Sequence, residues 1–123
     1  KNGGPEVLEL QDVTVGSPGP DEIKVTNHAI GLNYIDTYHR SGLYPLPLPS
    51  GIGLEAAGKI DEVGSDVTEF SKGDNIAYAS TPIGSYSQQR IIPAKNVVRS
   101  VGCHDPRKPV NVNGENCIAN ECE

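Results

Sequence analysis

Asn33, Asp36, Tyr38 and Tyr44 are the residues of this chain whose types and spacing could do chemistry. Asn33 and Asp36 are three apart, so on a short helix they share one side. Tyr38 lies two past Asp36 and points elsewhere, so it need not meet them. A tyrosine hydroxyl or an asparagine amide can donate a hydrogen bond to an oxygen that gains charge during a reaction, with no metal required. The four residues also have a plainer reading, in which Asn33 and Asp36 are an N-cap pair and the tyrosines are amphipathic packing. Caps are common, so the residues by themselves favour the plainer reading.

The run Gly51-Ile52-Gly53-Leu54-Glu55-Ala56 fits a loose GxGxxA pattern. A dinucleotide fingerprint must follow a buried strand and open a helix. Here LPLPS precedes the run and a strand is expected after it, so it does not read as a phosphate cradle. Glu55 within it is either a buried, paired carboxylate that holds a cleft wall or a plain exposed strand residue. His39 adjoins the polar constellation, where it could relay a proton or sit solvated at a helix end. Together with His28 it makes no Ser/His/Asp grouping. Tyr78 and Tyr86 are expected to pack in the body of the domain. Cys103, His104, Cys117 and Cys122 have the number of ligands a zinc site needs, but their spacing matches none of the usual arrangements. A disulfide, or an end with no site at all, remains open for that segment.

These residues must be positioned by one domain, since 123 residues leave room for no more. Fourteen glycines and ten prolines exceed ordinary usage and favour many turns between short strands. A net charge of −6 argues against a nucleic-acid surface, which carries a basic excess. No apolar run approaches the ~20 residues of a membrane helix. No nucleic acid or membrane partner is therefore expected. All three cysteines follow residue 100, and a body without cysteine suits the cytoplasm.

Alternation predicts strands over 7–10, 23–29, 56–63, 75–79 and 85–92. A helix is predicted over 33–40, capped by Asn33, with Asp36 beside its positive end and Gly42 closing it. The YPLPLPS run at 44–50 must be extended, because its three prolines donate no backbone hydrogen bonds. The sum is a mainly β chain, a small antiparallel barrel with one or two short helices.

The stretch 31–64, GLNYIDTYHRSGLYPLPLPSGIGLEAAGKIDEVG, resembles the active-site region of quinone oxidoreductases of the zinc-free branch of the medium-chain dehydrogenase/reductase superfamily. The likeness continues through EVGSDVTEFSKGDNIAYAS and IGSYSQQRIIPAKNVV, so it covers residues 3–100. It implies a GroES-like barrel over 1–101, followed by an unassigned cysteine-containing tail over 102–123. The family's first strand and its Rossmann nucleotide-binding domain are expected to be absent from this chain. The resemblance further implies hydride transfer from NADPH to a quinone or a similar electron-poor acceptor. Where zinc-dependent relatives have a metal-binding Cys and His, this chain has Asn33 and Leu54, which cannot replace them, so no metal is expected. By the same resemblance Asn33 contacts the nicotinamide, Asp36 orients the loop, and Tyr38 and Tyr44 line the acceptor pocket and donate to its oxygen. A cytoplasmic enzyme, with a homodimer possible at full length, is implied as well. The alternative is a truncated or stand-alone barrel without enzymatic activity, serving as an interaction module.

Overall fold

The computed structural model describes residues 1–100. Cys103, His104, Cys117 and Cys122, with the zinc and disulfide readings attached to them, lie outside the described residues. Within 1–100 the regular elements are strands β1 (Glu22–Gly31), β2 (Glu55–Val63), β3 (Asn75–Ala79), β4 (Gln89–Pro93) and β5 (Val98–Arg99), and one helix, α1 (Tyr34–Ser41). Short 3₁₀ turns occupy Pro5–Val7 and Ala94–Asn96. The strands form one antiparallel sheet in the order β4-β1-β2-β3-β5. The mainly β, antiparallel expectation holds.

The alternation that marks the strands also builds the core. Ile23 and Val25 of β1, Ile60 of β2, Ile76 and Tyr78 of β3 and Ile92 of β4 are buried in one cluster with Ala56, Ala94 and Val97. Val63, Val67 and Phe70 pack against it. They come from the family-like VGSDVTEF segment, whose turn is tied back by Gly64 N–H to the Glu22 carbonyl at 2.8 Å. The β1–β2 register slips between Asn27 and Ala29, where the bulge leaves His28 exposed.

Two predicted strands differ from what is found. Residues 7–10 form no strand: a 3₁₀ turn ends at Val7, and Leu8 and Leu10 lie exposed. Their alternation has no facing strand to pair with, and period-2 patterning stabilises nothing without one. The predicted 85–92 strand begins only at Gln89. Residues 84–87 turn instead, with Gly84 at φ 134° and Ser87 N–H donating to the Ser85 carbonyl.

Candidate functional site

Helix α1 starts where the sequence places a cap. Asn33 is extended at φ −126°, ψ 153°, and the Asp36 Oδ2 atom accepts the Asn33 backbone N–H at 2.9 Å. Asp36 in the first turn and His39 and Arg40 in the last both suit the helix dipole. Gly42 ends the helix at φ 89°, a conformation that costs a glycine little. Asp36 is the only buried residue of α1, at 2% exposure. The helix is thus anchored by a carboxylate rather than by an apolar stripe.

Asn33 is held a second time through its side chain. Its Nδ2 donates to Glu55 Oε2 at 2.8 Å, across the start of β2. Glu55 pairs in register with Gly31 of β1, and its carboxylate lies over that glycine's bare Cα. A Cβ built on Gly31 would stand 2.6 Å from Glu55 Cδ. Of the two readings of Glu55, the paired carboxylate is the one found, half-buried rather than fully enclosed. The rejected GxGxxA run leads into strand β2, not into a helix.

Tyr38 and Tyr44 meet edge-on, with ring centroids 5.4 Å apart, and both are substantially exposed. The Tyr44 backbone N–H donates to the Tyr38 carbonyl at 3.2 Å, which folds the proline-rich segment back onto the helix end. The His39 ring lies 6.2 Å from Tyr44, and its Nδ1 is buried with no partner among the described residues. His39 is therefore not a freely solvated histidine. Four predicted site residues thus gather around one short helix, as a capping group (Asn33, Asp36) and a tyrosine pair (Tyr38, Tyr44).

Tyr86 belongs to the same site, although its sequence suggested packing. Its hydroxyl donates to Asp36 Oδ2 at 2.7 Å, while about a third of the residue stays exposed. Burial, then the hydrogen bond to Asp36 and the charge of that carboxylate, push the Tyr86 hydroxyl well above the ordinary tyrosine value. It is a fixed donor. The signal that could have found it is its place in the family-like IGSYS segment. Tyr78, by contrast, is buried in the core as expected. Its hydroxyl donates to Asn27 Oδ1 at 2.9 Å.

Among the described residues no group of three or more His, Cys, Asp or Glu side chains is placed to hold a metal ion. No helix there is long and apolar enough to cross a membrane. The chemistry of Asn33 fits the carboxamide end of a nicotinamide. An asparagine amide has two N–H donors, and the described contact with Glu55 uses one of them. The strand–turn–helix step among the described residues, β1 to α1, is joined by Leu32 and Asn33 and carries no Gly-rich turn of the kind a pyrophosphate needs.

A mainly antiparallel domain with a short helix whose cap contacts the start of β2 is the architecture of a known family. Residues 19–102 match the alcohol dehydrogenase GroES-like domain, and the chain belongs to that family. The resemblance to quinone oxidoreductases also holds. A quinone oxidoreductase of Pseudomonas aeruginosa is 56% identical over 97 residues, which is 78% of this chain and 30% of the relative. The crystal structure of the Escherichia coli quinone oxidoreductase complexed with NADPH superposes with a TM-score of 0.78 at 50% identity, covering 80% of this chain and 31% of that one. The structure of a 2-haloacrylate reductase gives a TM-score of 0.75 at 40% identity, covering 85% of this chain and 30% of that one. The chain therefore spans less than a third of the length of these relatives.

Proposed function

We propose that this chain supplies the catalytic-domain part, residues 1–101, of an NADPH-dependent quinone oxidoreductase that transfers hydride to a quinone without a metal. The observation that carries the reading is the exposed Tyr38–Tyr44 pair beside an Asn33 whose amide is fixed by Glu55. Asn33 would hold the nicotinamide end of the cofactor with its remaining amide N–H. NADPH, when bound, supplies the hydride. Asp36 keeps the Asn33 backbone in place at the helix start. The hydroxyl of Tyr38 or Tyr44 donates to the acceptor oxygen as charge collects there, the role an immobilised donor performs best. Metal independence is supported by the Asn33–Glu55 contact, because the amide is already engaged by a carboxylate where zinc enzymes place a ligand. The same reading implies a cytoplasmic enzyme, with a homodimer possible at full length.

The 2-haloacrylate reductase likeness favours a second acceptor class, electron-poor alkenes, for the same machinery. The test uses a protein that carries this domain together with a nucleotide-binding domain. NADPH oxidation is followed with a simple 1,4-quinone and with a 2-haloacrylate, before and after chelator treatment. Saturable turnover of the quinone, indifferent to chelator, is expected. Turnover of the haloacrylate alone would replace the quinone as substrate, and turnover of neither would overturn the reading.

A further inference from the structure

We infer that Tyr86 is a positioning residue for the candidate site, acting through Asp36 to fix helix α1 and the groups it carries, Asn33, Tyr38 and Tyr44. The hold on α1 is read from geometry; what the positioned groups do rests on the function proposed above. Three observations support it. The first is the lack of any other buried side chain on α1, whose one enclosed residue is Asp36. An eight-residue helix does not hold its place by propensity. Its location must come from tertiary contacts, and the Tyr86 hydroxyl at 2.7 Å is a contact made to its one buried group from 50 residues away.

The second is the way Tyr86 itself is held. Its backbone N–H donates to the Ile52 carbonyl at 3.0 Å, and Gly84 and Ser85 N–H both donate to the Gly53 carbonyl. Asn27 Nδ2 donates to the carbonyls of Ser85 and Ser87 at 3.2 and 3.0 Å. Asn27 in turn accepts from Tyr78, a fully enclosed core residue. Gly53 has φ 94°, and a Cβ there would collide with the Tyr86 ring and Ser85 Oγ. The bare glycine is the seat on which the Tyr86 ring lies. A continuous chain of contacts thus runs from the core through Tyr78, Asn27 and the 84–87 turn to Tyr86, Asp36 and Asn33.

The third is the state of Asp36. Its Oδ2 accepts from Tyr86 and Asn33, while its Oδ1 is buried with no partner among the described residues. A buried carboxylate already short of donors cannot lose one cheaply. Removing the Tyr86 hydroxyl therefore drives α1 to open or shift so that Asp36 reaches water.

The test is amide hydrogen exchange on the full chain, with Tyr86→Phe compared to wild type. Exchange at 34–41 should rise about tenfold or more, the ratio that one charge-assisted hydrogen bond carries. Exchange in β2 should stay as it is. Unchanged exchange in α1 would overturn the inference whatever the enzyme does. Should Tyr86→Phe fold poorly, Asp36→Asn approaches the contact from its other side. It keeps an acceptor but loses the charge, so α1 exchange should again rise, and no rise would also overturn it. In the protein that carries the nucleotide-binding domain, Tyr86→Phe should lower kcat about tenfold at temperatures far below melting. Faster exchange with wild-type kcat would reduce Tyr86 to a structural tie and overturn its positioning role. A rise in α1 exchange in Tyr86→Phe, together with no NADPH oxidation by the wild-type two-domain protein with any acceptor, leaves the hold on α1 standing and removes the proposed function instead.

Discussion

Two carboxylates hold Asn33 from two directions: Asp36 accepts its backbone N–H and Glu55 its side-chain amide. The first was legible in the sequence, because a capping residue and an acid three positions later is a local pattern. The second was not, because Glu55 is 22 residues away and only the β1–β2 register brings it over Gly31. Tyr86, 50 residues from Asp36, was hidden for the same reason. Its hydroxyl gives a prediction in pH. The folded chain holds the Tyr86 proton after the unfolded chain has lost it. Stability from this group is thus full below tyrosine's ordinary ~10 and falls as pH rises past it. Tyr86→Phe should flatten that alkaline loss and remove one tyrosine from the late part of an ultraviolet titration. An unchanged late step would assign it to another tyrosine. For chemistry, Tyr38→Phe and Tyr44→Phe each remove a donor and keep the ring. In the complete enzyme a donor that works in the transition state should cost ~10- to 1000-fold in kcat. One that only positions substrate should raise KM and spare kcat. Both exposed hydroxyls should leave thermal melts nearly unmoved, within about 1 kcal/mol. Wild-type kinetics in both single mutants and the double mutant would make the pair packing residues.

At the scale of elements, β3 was predicted to the residue, and α1 and β2 to within one. In β1 apolar alternation and burial coincide at Ile23 and Val25, whereas β2 and β3 bury consecutive residues at 56–58 and 76–78; in α1 the cap residues mark the ends. The 7–10 segment shows where pattern fails. Alternation reports a face, not a partner, and Leu10 has nothing to lie against. The 84–87 turn shows a second failure, since a strand-like sequence bends when Asn27 and Gly53 bond its backbone instead. Two substitutions separate the core from the site. Ile60→Ala, at 1% exposure in β2, should cost ~2–5 kcal/mol in denaturant unfolding. A smaller loss would mean that the sheet collapses into the cavity. Gly31→Ala should act on the site, because its Cβ displaces Glu55 and frees the Asn33 amide. The Asn33 side-chain NH₂ signals in a nitrogen-15 spectrum should then move toward those of a solvated amide. Signals that stay put would show that Glu55 has another route to Asn33.

At the scale of the whole molecule, the described residues are one part of the site proposed above. The described residues supply capping groups, a tyrosine pair and a fixed amide. Their β1-to-α1 step, joined by Leu32 and Asn33, lacks the Gly-rich turn that cradles a dinucleotide's pyrophosphate at a helix start. The relatives are about three times as long as the part this chain matches. Hydride transfer needs its two partners held at near-attack distance, and effective molarity collapses when either is free to diffuse. The 123-residue chain by itself should therefore oxidise NADPH with quinones no faster than buffer does. The same residues joined to a nucleotide-binding domain should give saturable turnover. Metal analysis of both proteins, restricted to the part ending at Ser100 for the short one, should find no stoichiometric zinc, since Asn33 is bonded to Glu55 and Leu54 offers no ligand. Saturable turnover by the purified short chain would mean that residues 1–123 hold a cofactor by a route other than a Rossmann cradle. One equivalent of tightly bound zinc in the 1–100 part would show instead that the metal positions of the zinc-dependent relatives lie elsewhere than Asn33 and Leu54.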